Sequence, residues 1–221
     1  MDTTEPNGSP PETWVPGKDT LRAFSDGIFT IAITLLVLEV RLPDIPSAEI
    51  DARFLESLAA IAPKMLGFTL SFFIIAMYWL SYHRIFRFIR EPDRVLVGEN
   101  ILFLFFIVLM PFPTYLIGLY GAHQPVVMFY AANVAATSAI LALMWRHAST
   151  GHLLVDPGLE DSVIRFLWVR SLIPAGMFLL SIVVAVFSPV IAMAVWVLNF
   201  VAVLGVTRFY SSRPVKKPGL P

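Results

Sequence analysis

The chain has 221 residues, of which 57% are hydrophobic and 14% charged, with a formal net charge of zero and a mean hydropathy of +0.74. That balance excludes a soluble domain of this length, which needs more polar surface over its core, and it gives no electrostatic reason for a nucleic-acid partner. Cysteine is absent, so disulfides, thiolate metal sites and cysteine nucleophiles are excluded together.

A helix crossing the roughly 30 Å hydrocarbon layer needs about 20 mostly apolar residues. The sequence offers six such runs, which predicts an all-α integral membrane bundle of six transmembrane helices in one domain, residues 20–210. Residues 1–19 are polar and rich in Pro and Gly, without the apolar stretch of a cleavable signal peptide. They read as a disordered cytoplasmic tail. The first helix is expected over 20–40, with Asp19 or Thr20 to cap it and Pro43 to stop it. A loop carrying Asp44, Glu49, Asp51 and Glu56 follows. The second helix is expected over 62–82 and the third over 95–120, the latter interrupted by Pro111 and Pro113. The fourth is expected over 126–145, and the fifth over 163–187, interrupted by Pro174. The sixth begins past Pro189 and ends near Phe209, leaving 211–221 as a polar cytoplasmic tail.

The distribution of Lys and Arg gives an orientation. An even number of spans puts both termini on one side, and of the 16 Lys and Arg only Arg41, Arg53 and Lys64 fall on the other. The positive-inside rule then makes both termini cytoplasmic, in a multi-pass protein of the cell membrane. The basic run from His83 to Arg94 anchors that face near anionic headgroups, so membrane lipid is an expected partner.

The informative polarity lies in the first helix. Arg22, Ser25 and Asp26 stand in the run RAFSDG near its cytoplasmic end, with Arg22 and Asp26 an i,i+4 pair on one face. At about 100° per residue, Ile31, Leu35 and Leu38 form an apolar stripe roughly opposite that pair, with Thr34 beside it. The second helix ends in WLSYH, placing Trp79 and His83 one turn apart at the depth of Ser25 and Asp26. Buried donors and acceptors need partners. A hydrogen-bonded cluster among the first three helices is therefore expected, with Glu99 and Asn100 available to complete it.

The run RAFSDGIFTIAITLLVLEV resembles the first helix of the transmembrane protein 175 family of potassium channels. Trp79-x-x-x-His83 and the stretch from Asn100 to MPFPT resemble that family's second and third helices. The resemblance implies a homotetramer of six-helix subunits around a central pore lined by the first helix. By position, it makes Ile31, Leu35 and Leu38 the hydrophobic constriction and Thr34 the nearby polar position. It makes Arg22, Ser25, Asp26, Trp79, His83 and Asn100 the polar network that holds the pore helix. The implied function is a leak-type, potassium-permeable channel with modest selectivity over sodium. It needs no cofactor, and potassium is the permeant ion. No TVGYG-type loop is present, so selectivity cannot come from a carbonyl filter of that design. Nor does any helix carry Arg at every third position, as a voltage sensor does.

Two other classes compete. A proton-coupled transporter, or a proton-permeable channel, would use Asp26 and His83 as a relay. A membrane enzyme would need clustered carboxylates or histidines at one face. The sequence has no HExxH, GxSxG or DDxxD-like run. Asp156, Glu160 and Asp161 near His152 read as a solvated loop, and His147, His152 and Asp156 are too loosely spaced to read as a metal site. Glu39 and Arg41 read as interfacial anchors at the outer end of the first helix.

Overall fold

The computed structural model describes residues 14–121, 123–196, 198 and 199. The described residues are helical, joined by short loops, with an isolated bridge between Ile89 and Val155. Helix α1 spans Lys18–Leu38, α2 Ile50–Ala60 and α3 Ala62–Phe86. These are followed by α4 Arg94–Leu109, α5 Pro111–Tyr120, α6 Gln124–Ser149 and α7 Asp161–Phe187. Five helical stretches among the described residues are long and apolar enough to cross a membrane, with α4 and α5 together forming one of them. The sixth expected helix is visible at 189–196 and at 198–199; its remainder lies outside the described residues, as do the two tails.

Two local features interrupt the plain series of spans: a break at the prolines of the third helix, as the sequence predicts, and a short helix that it does not. The third helix is divided at Met110, because Pro111 and Pro113 withdraw two amide donors from the ladder. The Thr114 hydroxyl donates to Met110 O at 2.8 Å and its oxygen lies 2.7 Å from Ser71 Oγ, so it satisfies a carbonyl at the break and ties α5 to α3. Ser71 in turn meets the Tyr130 hydroxyl on α6 at 2.9 Å. The helix ends at Gly121, whose φ of 55° and ψ of −133° suit a residue without a Cβ. The expected loop before α3 instead contains α2, which begins after a 3₁₀ turn at Ser47–Glu49. No residue of α2 is buried, and Arg53 pairs with Glu49 at 2.8 Å one turn back. In contrast, Pro174 leaves α7 unbroken.

The core is organised around α6. Ala131, Ala135, Ser138 and Ala142 recur at i, i+4, i+7 and i+11, and all are buried. Small residues on one stripe let neighbouring helices approach closely, which is the main packing force between helices in lipid. The Tyr78 hydroxyl donates to Val134 O at 2.7 Å and lies 2.6 Å from Ser138 Oγ, fastening α3 to that stripe. Helix α7 packs along α6, and the Trp145 indole donates to Ile164 O at 2.9 Å.

Helix α4 starts at a side-chain cap. Asp93 Oδ1 accepts the Leu96 amide at 2.8 Å, while Oδ2 lies 2.9 Å from His147 Nε2 in the last turn of α6. Burial acts to raise the Asp93 carboxyl, but the Leu96 amide together with the hydrogen bond and charge of His147 hold it below its usual value. Such a group stabilises the fold above the unfolded carboxylate pKa of about 4 and loses that contribution as pH falls through the lower folded value. Asp93→Asn keeps the cap and removes the charge. Wild type is expected to melt above this variant at pH 7, with the gap closing below about pH 4. A gap that stays constant over that range would show that the pair with His147 contributes nothing.

Candidate pore helix and its polar anchor

Helix α1 has one covered face and one open face. Leu21, Ser25, Phe29, Ala32 and Leu36 recur every three or four residues and are buried against α3, α4 and α5. Phe29 sits among rings, 5.8 Å from Tyr82 and 5.9 Å from Phe103 between centroids, and Tyr82 and Phe103 lie nearly parallel to each other. This aromatic packing keeps water from the polar group one turn below it.

That group is Ser25, which is fully buried. Its hydroxyl donates to Leu21 O at 2.9 Å, as serines in helices commonly do. With its proton so committed, the oxygen accepts from the Tyr82 hydroxyl at 2.8 Å and from Asn100 Nδ2 at 3.2 Å. One oxygen thus joins α1, α3 and α4. Asn100 Oδ1 is buried without a hydrogen-bond partner among the described residues.

Asp26 is the second tie. Its Oδ1 accepts the Trp79 indole N–H at 2.8 Å and lies 3.3 Å from His83 Nε2. The His83 ring packs on the Trp79 ring at 4.5 Å, and its Nδ1 lies 3.0 Å from Trp79 O. Asp26, Trp79 and His83 are only part-covered, so this tie stands at the edge of the subunit.

The structure brings Ser25, Asp26, Trp79, His83 and Asn100 together, and it does not bring in two other residues. Arg22 forms no ion pair with Asp26, although the two are one turn apart, because the carboxylate turns across to α3; Arg22 Nε is buried without a hydrogen-bond partner among the described residues. Glu99 also stays outside the cluster, with Oε2 buried and without a hydrogen bond among the described residues. Tyr82 was not anticipated from the sequence. Its signal was its place beside His83 in WLSYH, at the depth of Ser25.

The opposite face of α1 is bare. Ile31 is 53% exposed, Leu35 38% and Leu38 56%, and Thr34 is exposed beside them. Phe24, at 56% exposure, continues this line toward the N-terminal end, and the helical wheel that found the other three also contains it. The Thr34 hydroxyl donates to Ile31 O at 2.9 Å, which leaves only oxygen lone pairs to present outward. At the far end, Arg41 Nε donates to Leu38 O at 3.1 Å, and Glu39, Arg41, Lys64 and Tyr115 border a shallow crevice.

The histidines and carboxylates of the α6–α7 side do not converge. His147 binds Asp93, His152 Nε2 lies near Leu159 O, and Asp156 accepts the Gly158 amide. Among the described residues no three such groups are placed to hold a metal ion. Asp161, expected in a loop, is the first residue of α7.

The family model described as endosomal/lysosomal potassium channel TMEM175 matches residues 20–111, the stretch that carries every member of the Ser25 and Asp26 clusters. A Streptomyces collinus protein named as a potassium channel is 32% identical over 155 residues, covering 68% of this chain and 73% of the relative. The chain belongs to the TMEM175 family. Its family is therefore one of ion channels and not of enzymes. The crystal structure of a lysosomal potassium-selective channel TMEM175 homologue from Chamaesiphon minutus superposes with a TM-score of 0.73 at 27% identity, covering 87% of this chain and 97% of that one. The human endosomal/lysosomal proton channel TMEM175 is 30% identical over 95 residues, which is 41% of this chain but 19% of the longer relative. Family and spans together make this a multi-pass membrane protein.

Proposed function

We propose that the chain is one subunit of a homotetrameric, potassium-permeable leak channel in the cell membrane, with both termini cytoplasmic. Four copies of α1 surround the axis. Ile31, Leu35 and Leu38 form a hydrophobic neck, and Thr34 supplies hydroxyl oxygens to a partly dehydrated cation. The observation that carries this reading is the division of α1. Its inner face is fastened by Ser25 and Asp26 to α3 and α4, while a continuous apolar stripe on its outer face is left uncovered by the subunit. The potassium-channel names of the relatives agree with it. An apolar neck passes ions only when wide enough to be wet, and hydroxyl oxygens in a flexible ring discriminate weakly. Selectivity for potassium over sodium is therefore modest.

A proton-permeable form of the same pore is a second reading. It is favoured by the incomplete burial of the Asp26–His83 pair, whose side chains are 43% and 21% exposed, and by the name of the human relative. Both readings are tested by flux from liposomes containing the purified protein. Potassium efflux well above empty liposomes, which persists with the proton gradient collapsed by an uncoupler, is expected. Efflux that stops under those conditions would replace the channel with a proton-coupled transporter. Absence of potassium movement, with proton flux retained, would favour the proton pore.

A further inference from the structure

A second site lies away from α1, where α6 ends and α7 begins. The two helices diverge there and leave an open cleft of about 680 Å³, bordered by Arg146, Ser149, Thr150, Asp161, Arg165 and Trp168. Arg146 on α6 and Arg165 on α7 are both exposed, and neither has an ion-pair partner among the described residues. Asp161 borders the same cleft without pairing with either. The floor consists of Ser149 and Thr150, whose hydroxyls donate back to Trp145 O and Arg146 O at 2.7 and 2.6 Å. Their protons are committed, so the charged donors bordering the cleft are the two guanidiniums. Deeper along α7 the lining turns apolar through Ile164, Trp168 and Val169, and the Trp168 side is 39% exposed. The polar part lies at the helix ends and the apolar part lies toward the middle of the span, which is the polarity of a lipid at an interface.

We propose that this cleft binds the headgroup of an anionic phospholipid of the phosphatidylglycerol class. The phosphodiester sits between Arg146 and Arg165, matching the planar N–H forks of the guanidiniums. A headgroup hydroxyl donates to Asp161, and the acyl chains lie along Trp168 and Val169 in the position aromatic residues take at membrane interfaces. Two cations against one carboxylate favour a lipid with net negative charge over a zwitterionic one. A basic pocket between helix ends at a membrane face is a known form of headgroup site.

The test is native mass spectrometry of the full-length protein in detergent, titrated with phosphatidylglycerol, phosphatidylethanolamine and phosphatidylcholine of matched acyl chains. Phosphatidylglycerol is expected to bind tightest. Its apparent affinity should fall by about tenfold or more in Arg146→Gln with Arg165→Gln, given that each surface cation contributes about fivefold. Binding of phosphatidylcholine should not change. Arg146→Lys with Arg165→Lys, which keeps the charge, should keep most of the affinity. The glutamine variant should melt as wild type in lipid-free detergent, since both side chains are exposed and form no ion pair among the described residues. If the glutamine variant does not fold, the lysine variant and the wild-type lipid series still decide. Equal affinity for the three lipids in wild type, or wild-type affinity in the glutamine variant, would overturn the site. Neither result bears on ion flux, so a failure here leaves the channel reading standing.

Discussion

Alanine at both Ile31 and Leu35 is expected to raise potassium efflux from liposomes by about tenfold, the factor that corresponds to about 1.4 kcal/mol off the barrier. Both side chains lie on the bare face of α1. In the proposed tetramer each substitution removes branched carbons from four places at one level. A wider and less apolar neck stays wet for more of the time. The same change weakens the ring at Thr34, so the preference for potassium over sodium should fall while the rate rises. Leu36 is the matched control, because it is fully buried on the other face of the same helix. Leu36→Ala leaves a cavity near α3 and α5, which costs about 2 kcal/mol or more of stability, and it should leave the potassium preference as in wild type. Flux and preference unchanged in the double variant would move the pore away from this stripe.

Ser25→Ala is expected to be strongly destabilising for the loss of a single atom. It removes the one acceptor shared by the Tyr82 hydroxyl and Asn100 Nδ2, in a place where water cannot replace it. Leaving a buried donor without a partner costs about 1–3 kcal/mol, and two are stranded together, so a loss of about 2–4 kcal/mol follows. Asn100 Oδ1 already lacks a partner, which leaves this amide no alternative arrangement to retreat to. Tyr82→Phe removes a donor rather than an acceptor and should cost about 1 kcal/mol. Thermal unfolding in detergent, followed by tryptophan fluorescence for both single variants and the double variant, measures the coupling. The double variant should be less destabilised than the two single effects added together. Additive effects, or a Ser25→Ala protein that melts with wild type, would remove Ser25 from the centre of the anchor. Asp26 supplies the second tie through the Trp79 indole, so a helix that has lost Ser25 retains a hinge point rather than detaching.

The membrane class and the main helices were legible in the sequence because apolar run length is a one-dimensional property. A span of about 20 residues is either present or absent, and the expected second, fourth and fifth helices differ from α3, α6 and α7 mainly in their ends. The two faces of α1 were also legible, because a wheel needs only the residue spacing. The stripe of Ile31, Leu35 and Leu38 is exposed and the opposite side is covered. The motif RAFSDG holds Ser25 and Asp26, the two residues that tie α1 to its neighbours, and comparison with relatives agrees on the family.

What the spacing could not give was the direction in which each polar group turns. Arg22 and Asp26 are neighbours on one helix, and local geometry alone pairs them. In the folded subunit Asp26 turns to Trp79, because an indole N–H on α3 lies within 2.8 Å of it. Tyr82, rather than a charged residue, fills the place beside Ser25, and Glu99 is left out although Asn100 next to it takes part. The short helix α2 likewise depends on how the chain must turn between spans. Periodicity and run length fix which faces are apolar and how long each helix is. Only the packing of one helix on another brings a donor to within 3 Å of an acceptor from a distant part of the chain, and in a membrane, where no water can take the missing partner's place, that packing decides which pairs exist.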